Sequence, residues 1–215
     1  MADKASVALL EVRDLRCERD GRLLFEDLAF TLGPGEVLQV AGPNGCGKTT
    51  MLRAIAGLSQ RATGEVRWRG IAIERCRYDY LGASLFLGHD AAVNPALTPL
   101  ENLRWHVALW GRSRPVSPEA ALARLGLGGH LHTPAQKLSV GQKRRIALAR
   151  LLLSTAALWI LDEPFTAIDL AGVAGLEALI GTHAAEGGAV LLTTHHRLAA
   201  VPGLRRLELG QQMVD

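Results

Sequence analysis

The sequence predicts an α/β protein: a parallel-sheet core, an antiparallel β subdomain at its start and a helical subdomain inserted in its middle. Three observations predict it. The first 35 residues hold short alternating runs broken by Gly and Pro. From Glu36 onward, strand-like runs alternate with helical patterns, and between about His89 and Lys137 the strand signals vanish. Alternating strands and helices argue for a parallel sheet, because each crossover helix covers one of its faces.

In chain order, residues 9–15 and 23–32 alternate apolar and polar, with Asp20-Gly21 between them and Gly33-Pro34-Gly35 after them. Those are hairpin and turn signals, so these runs read as antiparallel strands. Residues 37–41 form a short apolar strand, followed by a Gly-rich turn and a helical stretch through Ala56. Strand-like runs recur at 85–87, 158–161 and 190–193. Inside the insert, 100–110 and 118–125 read as helices separated by Gly, Pro and Ser. Leu100, Leu103, Val107 and Trp110 keep helical spacing, and Trp105 falls off that stripe. Residues 143–153 are a further helical run. The expected organisation is a single domain over 1–215. Its core spans 1–88 and 154–215, and its helical part, with the helix that ends it, spans 89–153. Internal repeats and low-complexity tracts are lacking.

Composition narrows the function classes. Hydrophobic residues make up 48% of the 215 and charged residues 21%, enough for a substantial core and unlike a disordered chain. The formal charge of +3 permits an anionic ligand without requiring one. Nucleic-acid binders concentrate basic charge on one face. Here Lys143-Arg144-Arg145 is the only tight basic run, and it reads better as a solvated, partly packed helix face. No stretch reaches the roughly 18 apolar residues of a membrane-spanning helix. Met1-Ala2-Asp3-Lys4 lacks a signal pattern, so the chain is expected to stay in the cytosol. Cys17, Cys46 and Cys76 have no metal-ligand spacing and suit a reducing compartment.

Gly42-Pro43-Asn44-Gly45-Cys46-Gly47-Lys48-Thr49, with Thr50 after it, fits the phosphate-binding loop G-x-x-x-x-G-K-[ST] between a strand and a helix. Glycines let backbone N–H groups turn toward phosphate oxygens, and the helix N-terminus adds a favourable dipole. Lys48 would reach the β- and γ-phosphates, and the Thr49 hydroxyl would ligate Mg²⁺. A Gly-rich turn that merely caps a helix is disfavoured by the flanking strand and helix. For Cys46, a thiol activated by Lys48 competes with the plainer reading of a small residue filling a tight loop.

Four further segments follow in order: Leu138-Ser139-Val140-Gly141-Gln142, the apolar strand ending in Asp162-Glu163-Pro164, Ala167-Ile168-Asp169, and Thr193-Thr194-His195. With the phosphate loop, this ordered set resembles the ATP-binding subunits of ABC transporters over essentially the whole chain. The resemblance implies an ATPase that uses Mg²⁺ with ATP. Asp162, closing a buried strand beside the loop, can hold the Mg²⁺ shell, and Glu163 would orient and deprotonate the attacking water. His195 would contact the γ-phosphate, with His196 as the competing choice. Ser139, Val140, Gly141 and Gln142 would reach the ATP of a second copy, so a homodimer is implied. Asp169 falls in the loop that follows Glu163.

Three positions depart from the family pattern. Val140 replaces a glycine, Arg19 stands where an aromatic stacks on adenine, and His89 stands where a glutamine links the γ-phosphate to the helical subdomain. A valine with φ > 0 would be strained. The wording of Cys17-Glu18-Arg19-Asp20, Leu87-Gly88-His89 and residues 158–169 is similar to the ATP-binding subunits of haem exporters for cytochrome c biogenesis. In that family Arg19 and His89 are familiar. This implies integral membrane subunits as partners, ATP as ligand, no nucleic acid, and a peripheral position on the cytoplasmic face of a bacterial inner membrane. Haem transport and nucleotide-gated release of a haem-chaperone complex both remain open. So does transport of another small substrate.

Overall fold

Two sheets divide the chain, as the computed structural model shows for residues 8–19, 21–59, 61–111, 113–198, 201 and 203–210. Asp20 of the expected hairpin turn and the Met1–Lys4 start lie outside the described residues. Strands β1 (Leu10–Arg19) and β2 (Arg22–Leu32) pair antiparallel, with Leu10 opposite Leu32 and Arg19 opposite Arg22. Register shifts between Val12 and Leu15 bend β1, and Asp14 there takes φ 49°. Aspartate tolerates that left-handed region better than most side chains. The free edge of β1 is taken by β4 (Ala62–Trp68), which in turn pairs with β5 (Ile71–Ala72). The sequence pattern did not reveal these last two strands.

The second sheet is parallel throughout, ordered β6 (Ser84–Leu87), β7 (Leu158–Asp162), β8 (Ala189–Thr193), β3 (Val37–Ala41) and β9 (Leu204–Glu208). Every residue of β7 and β8 is buried, and so is every residue of β3. That is why they read as continuous apolar runs rather than alternating ones. The predicted α/β class, with its antiparallel subdomain and inserted helices, is the class observed. The edge strand β9, with Arg205, Arg206 and Glu208 exposed, carries little apolar signal and went unread.

The connections are α1 (Lys48–Ile55), α2 (Arg77–Ala83), α3 (Pro99–Trp110), α4 (Pro118–Arg124), α5 (Val140–Leu153) and α6 (Leu170–Ala185). Helices α3, α4 and α5 close a core of their own around Leu100, Leu103, Leu122, Ile146 and Leu153. Each such buried side chain contributes roughly 1.5–3 kcal/mol relative to exposure. Trp110 is shared with the core cluster of the parallel sheet. Trp105, off the apolar stripe, is 57% exposed.

Helix starts differ in a way that matters for the site. Thr98 caps α3, Ser117 caps α4, Ser139 caps α5 and Asp169 caps α6, each with a side-chain oxygen accepting a backbone N–H. Helix α1 begins at Gly47, which has no side chain to offer. Its first N–H groups therefore have no side-chain partner at the cap.

Candidate active site

The carboxyl ends of β7, β8 and β3 lie side by side, and the loops leaving them converge on one cleft of about 700 Å³. Ligands of parallel α/β sheets collect at such strand ends. Asn44, Gly45, Gly47, Lys48, Thr49 and Thr50 line the cleft from the β3 side, and Asp162, Glu163, Thr166 and His195 line it from the other. His89 also faces it, with Arg19, Arg22 and Leu24 at its outer end.

The loop is shaped by its glycines. Gly42 has φ 146°, and a Cβ there would strike the Leu209 carbonyl and lie 2.9 Å from the Cys46 sulfur. Gly47 has φ 101°. Lys48 Nζ bridges the loop internally, donating to the carbonyls of Gly42 at 2.7 Å and Pro43 at 2.9 Å. Cys46 is only 8% exposed and packs beneath Gly42 and Gly210, which is the filling role rather than that of a reactive thiol. Pro43 faces a neighbouring hollow with His196 and Arg197.

At the end of β7, Asp162 is 1% exposed. One of its oxygens, Oδ1, accepts from the Thr193 hydroxyl at 2.8 Å, and the other, Oδ2, is buried without a hydrogen-bond partner. A buried orphan carboxylate oxygen in the same cleft as Thr49 suits a hard cation. Among the described residues no cluster of three metal-type ligands exists. Mg²⁺ is commonly held by one carboxylate together with substrate phosphates and water, so the donor set present fits that ion.

Glu163 takes φ 47°, a left-handed conformation, and its N–H donates to the Thr193 carbonyl and hydroxyl at 3.1 and 3.0 Å. Its carboxylate meets His195: the His195 N–H donates to Oε2 at 3.4 Å, and Nε2 lies 3.5 Å from Oε1. His195 is exposed toward the cleft. His196 points elsewhere, bonding Glu177 of α6 at 3.0 Å and packing on the Phe165 ring. The geometry thus separates the two candidates.

The segment 139–142 forms the start of α5, away from the lining of this cleft. Ser139 and Gln142 make a reciprocal cap: Ser139 Oγ accepts the Gln142 N–H at 3.1 Å, and Gln142 Oε1 accepts the Ser139 N–H at 2.9 Å. Val140 is 74% exposed and its φ is not positive, so the glycine-to-valine departure costs no backbone strain. At Gly141 a Cβ would lie 2.7 Å from the Ala167 carbonyl oxygen, so α5 and the 167–169 loop touch there. Asp169 joins the same contact through Arg145 at 2.8 Å.

The run 143–145 is the partly packed helix face expected, and its packed member is Arg144, 4% exposed with its guanidinium bound by four main-chain carbonyls. Thr193 was missed, although a threonine ending an otherwise apolar strand was a readable signal.

Comparison with known proteins agrees with this geometry. The family model for ABC transporters matches residues 25–166. Two cytochrome c biogenesis ATP-binding export proteins CcmA are about half identical to the chain. The Hahella chejuensis protein is 49% identical over 205 residues, covering 94% of this chain and 96% of its own. The Methylococcus capsulatus protein is 50% identical over 209 residues, covering 95% and 100%. Among solved structures, an ABC transporter ATP-binding protein from Pyrococcus furiosus superposes with TM-score 0.78 at 28% identity, covering 93% of this chain and 96% of that one. An ATP-binding subunit of an ABC transporter gives TM-score 0.76 at 27% identity, over 87% and 79%. The chain belongs to the ABC transporter family as a nucleotide-binding ATPase and, within it, to the CcmA family of cytochrome c biogenesis ATP-binding export proteins.

Proposed function

We propose that this ATPase powers haem handling for c-type cytochrome maturation, working as two copies on integral membrane subunits at the cytoplasmic face of a bacterial inner membrane. About 50% identity to export proteins of cytochrome c biogenesis over nearly the full chain supports the pathway. The observation that carries the chemistry is the placement of Glu163 and His195 across one cleft from Lys48 and Thr49.

In this reading the uncapped start of α1 and the N–H groups of the 42–47 loop receive the β- and γ-phosphates, with Lys48 and Thr50 beside them. Thr49 and Asp162 would hold Mg²⁺, which when bound supplies charge neutralisation on the phosphates. Glu163 accepts the proton of the attacking water and fixes its direction. His195, bonded to Glu163, faces the γ-phosphate, and His89 links that site to the helical subdomain at 89–153. The Ser139–Gln142 end of α5, with Asp169 next to it, reaches the nucleotide of the second copy. Trp105, exposed on α3, lines the groove that receives a membrane subunit in this reading. Nucleic acid is not a partner in this reading, since burial of Arg144 breaks up the one tight basic run.

The test is covalent haem staining of c-type cytochromes in the source bacterium carrying Glu163→Gln. Loss of stain with the protein still expressed is expected. Normal stain from a variant that has lost ATPase activity would remove haem maturation as the job while leaving an ABC ATPase.

A further inference from the structure

Arg144 sits in the second turn of α5, and its side chain runs away from solvent to the ends of β6 and β7. One guanidinium nitrogen donates to the carbonyls of Gly88 at 2.8 Å and His89 at 3.2 Å. The other donates to the carbonyls of Asp162 at 3.1 Å and Glu163 at 2.8 Å. All four acceptors lie where neighbouring parallel strands run out, so the ladder between them no longer satisfies those oxygens. A cation this buried is costly unless well bonded. Burial pulls the Arg144 pKa below its ordinary value, and the charges of Asp162, Glu163 and Asp90 nearby offset that only in part. A guanidinium suits this geometry because it is planar, permanently charged and forked, whereas an ammonium is a point donor that cannot span two separated carbonyl pairs.

We propose that Arg144 is a positioning residue for ATP hydrolysis, a single buried clamp through which α5 sets the backbone of Glu163 and His89. The Glu163 main chain is held in its left-handed conformation from two sides, by Thr193 at its N–H and by Arg144 at its carbonyl. The far end of Arg144 belongs to the helix whose first residues are Ser139–Gln142. A displacement of that helix start is therefore passed to the Glu163 main chain through the Arg144 side chain. The proposal rests on the reading that Glu163 directs the attacking water.

The experiment compares Arg144→Lys and Arg144→Gln with wild type in the full chain assembled with its membrane subunits. It measures kcat and KM for ATP, thermal unfolding, and the same substitutions in a Glu163→Gln background. Misplacing a catalytic group by an ångström costs on the order of 100-fold in rate. Both variants should accordingly lose roughly 10- to 100-fold in kcat, with KM within about threefold of wild type. Added to Glu163→Gln, Arg144→Lys should cost nothing further, because the carboxylate it positions is gone. An equal loss in both backgrounds, or a loss that follows unfolding or KM in both variants, overturns the proposal and leaves a structural role. Full activity in Arg144→Lys alongside an inactive Glu163→Gln overturns the clamp alone. Wild-type hydrolysis by Glu163→Gln overturns the reading of Glu163 and the clamp with it.

Discussion

The Thr193 hydroxyl donates to Asp162 Oδ1 at 2.8 Å across the β7–β8 pair, and Thr193 Oγ1 in turn accepts the Glu163 N–H at 3.0 Å. One threonine thus orients both acidic residues of the cleft. Thr193 is completely buried. Thr193→Val keeps the shape but strands the Asp162 oxygen, which costs about 1–3 kcal/mol for a buried unsatisfied group. Urea denaturation should show that loss, and ATPase activity should fall at least tenfold even under conditions where the variant is fully folded.

Gly141→Ala should separate α5 from the 167–169 loop, because the new methyl would meet the Ala167 carbonyl at 2.7 Å. Alanine is a good helix former, so the isolated helix gains slightly. The expected result is near-normal ATP binding with hydrolysis strongly reduced, read by equilibrium nucleotide binding beside steady-state turnover. Turnover within twofold of wild type would contradict the close approach as a functional contact.

The adjacent histidines should behave oppositely. His195→Ala removes an exposed ring that faces Glu163, so turnover should collapse while stability stays within about 0.5 kcal/mol. His196→Ala removes the bond to Glu177 and the contact with Phe165, so it should destabilise by about 1 kcal/mol. ATP affinity should then survive in the folded fraction. Parallel denaturation and ATPase measurements on the two variants decide it.

Stability should also depend on mild acid. His183 stacks face to face on Trp159 with 3.7 Å between ring centroids, and burial, helped by nearby Arg114, pulls its pKa down to about 4. His106 is likewise pulled down to about 4 by burial and by Arg150. The unfolded chain takes up these protons near the ordinary value of 6.5, while the folded chain refuses them until about pH 4. Stability therefore falls as pH drops through that window and is fully present above it. Urea midpoints at pH 7 and pH 4.5 should differ, and His183→Phe should shrink the difference.

Much of this molecule could be read before its coordinates, for reasons that differ by residue. Gly42–Thr49 was legible because a phosphate loop needs its residue types at fixed covalent spacing. The strands 37–41, 158–161 and 190–193 were legible because burial on both faces demands unbroken apolar runs. Strand β4 was not, since Thr63, Gly64 and Glu65 interrupt its alternation and its partner β1 lies about fifty residues earlier. Which residue of the 143–145 face is packed was not legible for a related reason. The acceptors of Arg144 stand 18 to 56 positions away, and no local pattern in Lys143-Arg144-Arg145 distinguishes the buried arginine from its neighbours. His195 and His196 were separable only once the direction of each ring was known.

Helix α1 opens on a glycine, while α3, α4, α5 and α6 each carry their own side-chain cap. If the nucleotide phosphates take the place of that cap, as proposed above, ATP is a structural part of the protein as well as its fuel. A ligand bound only by the folded state adds RT ln(1 + [L]/Kd), about 2.7 kcal/mol at a hundredfold excess over Kd. Melting curves recorded in plain buffer thus describe a molecule with the start of α1 left open. On that reading, part of the protein's resistance to unfolding in a living cell rises and falls with its ATP supply.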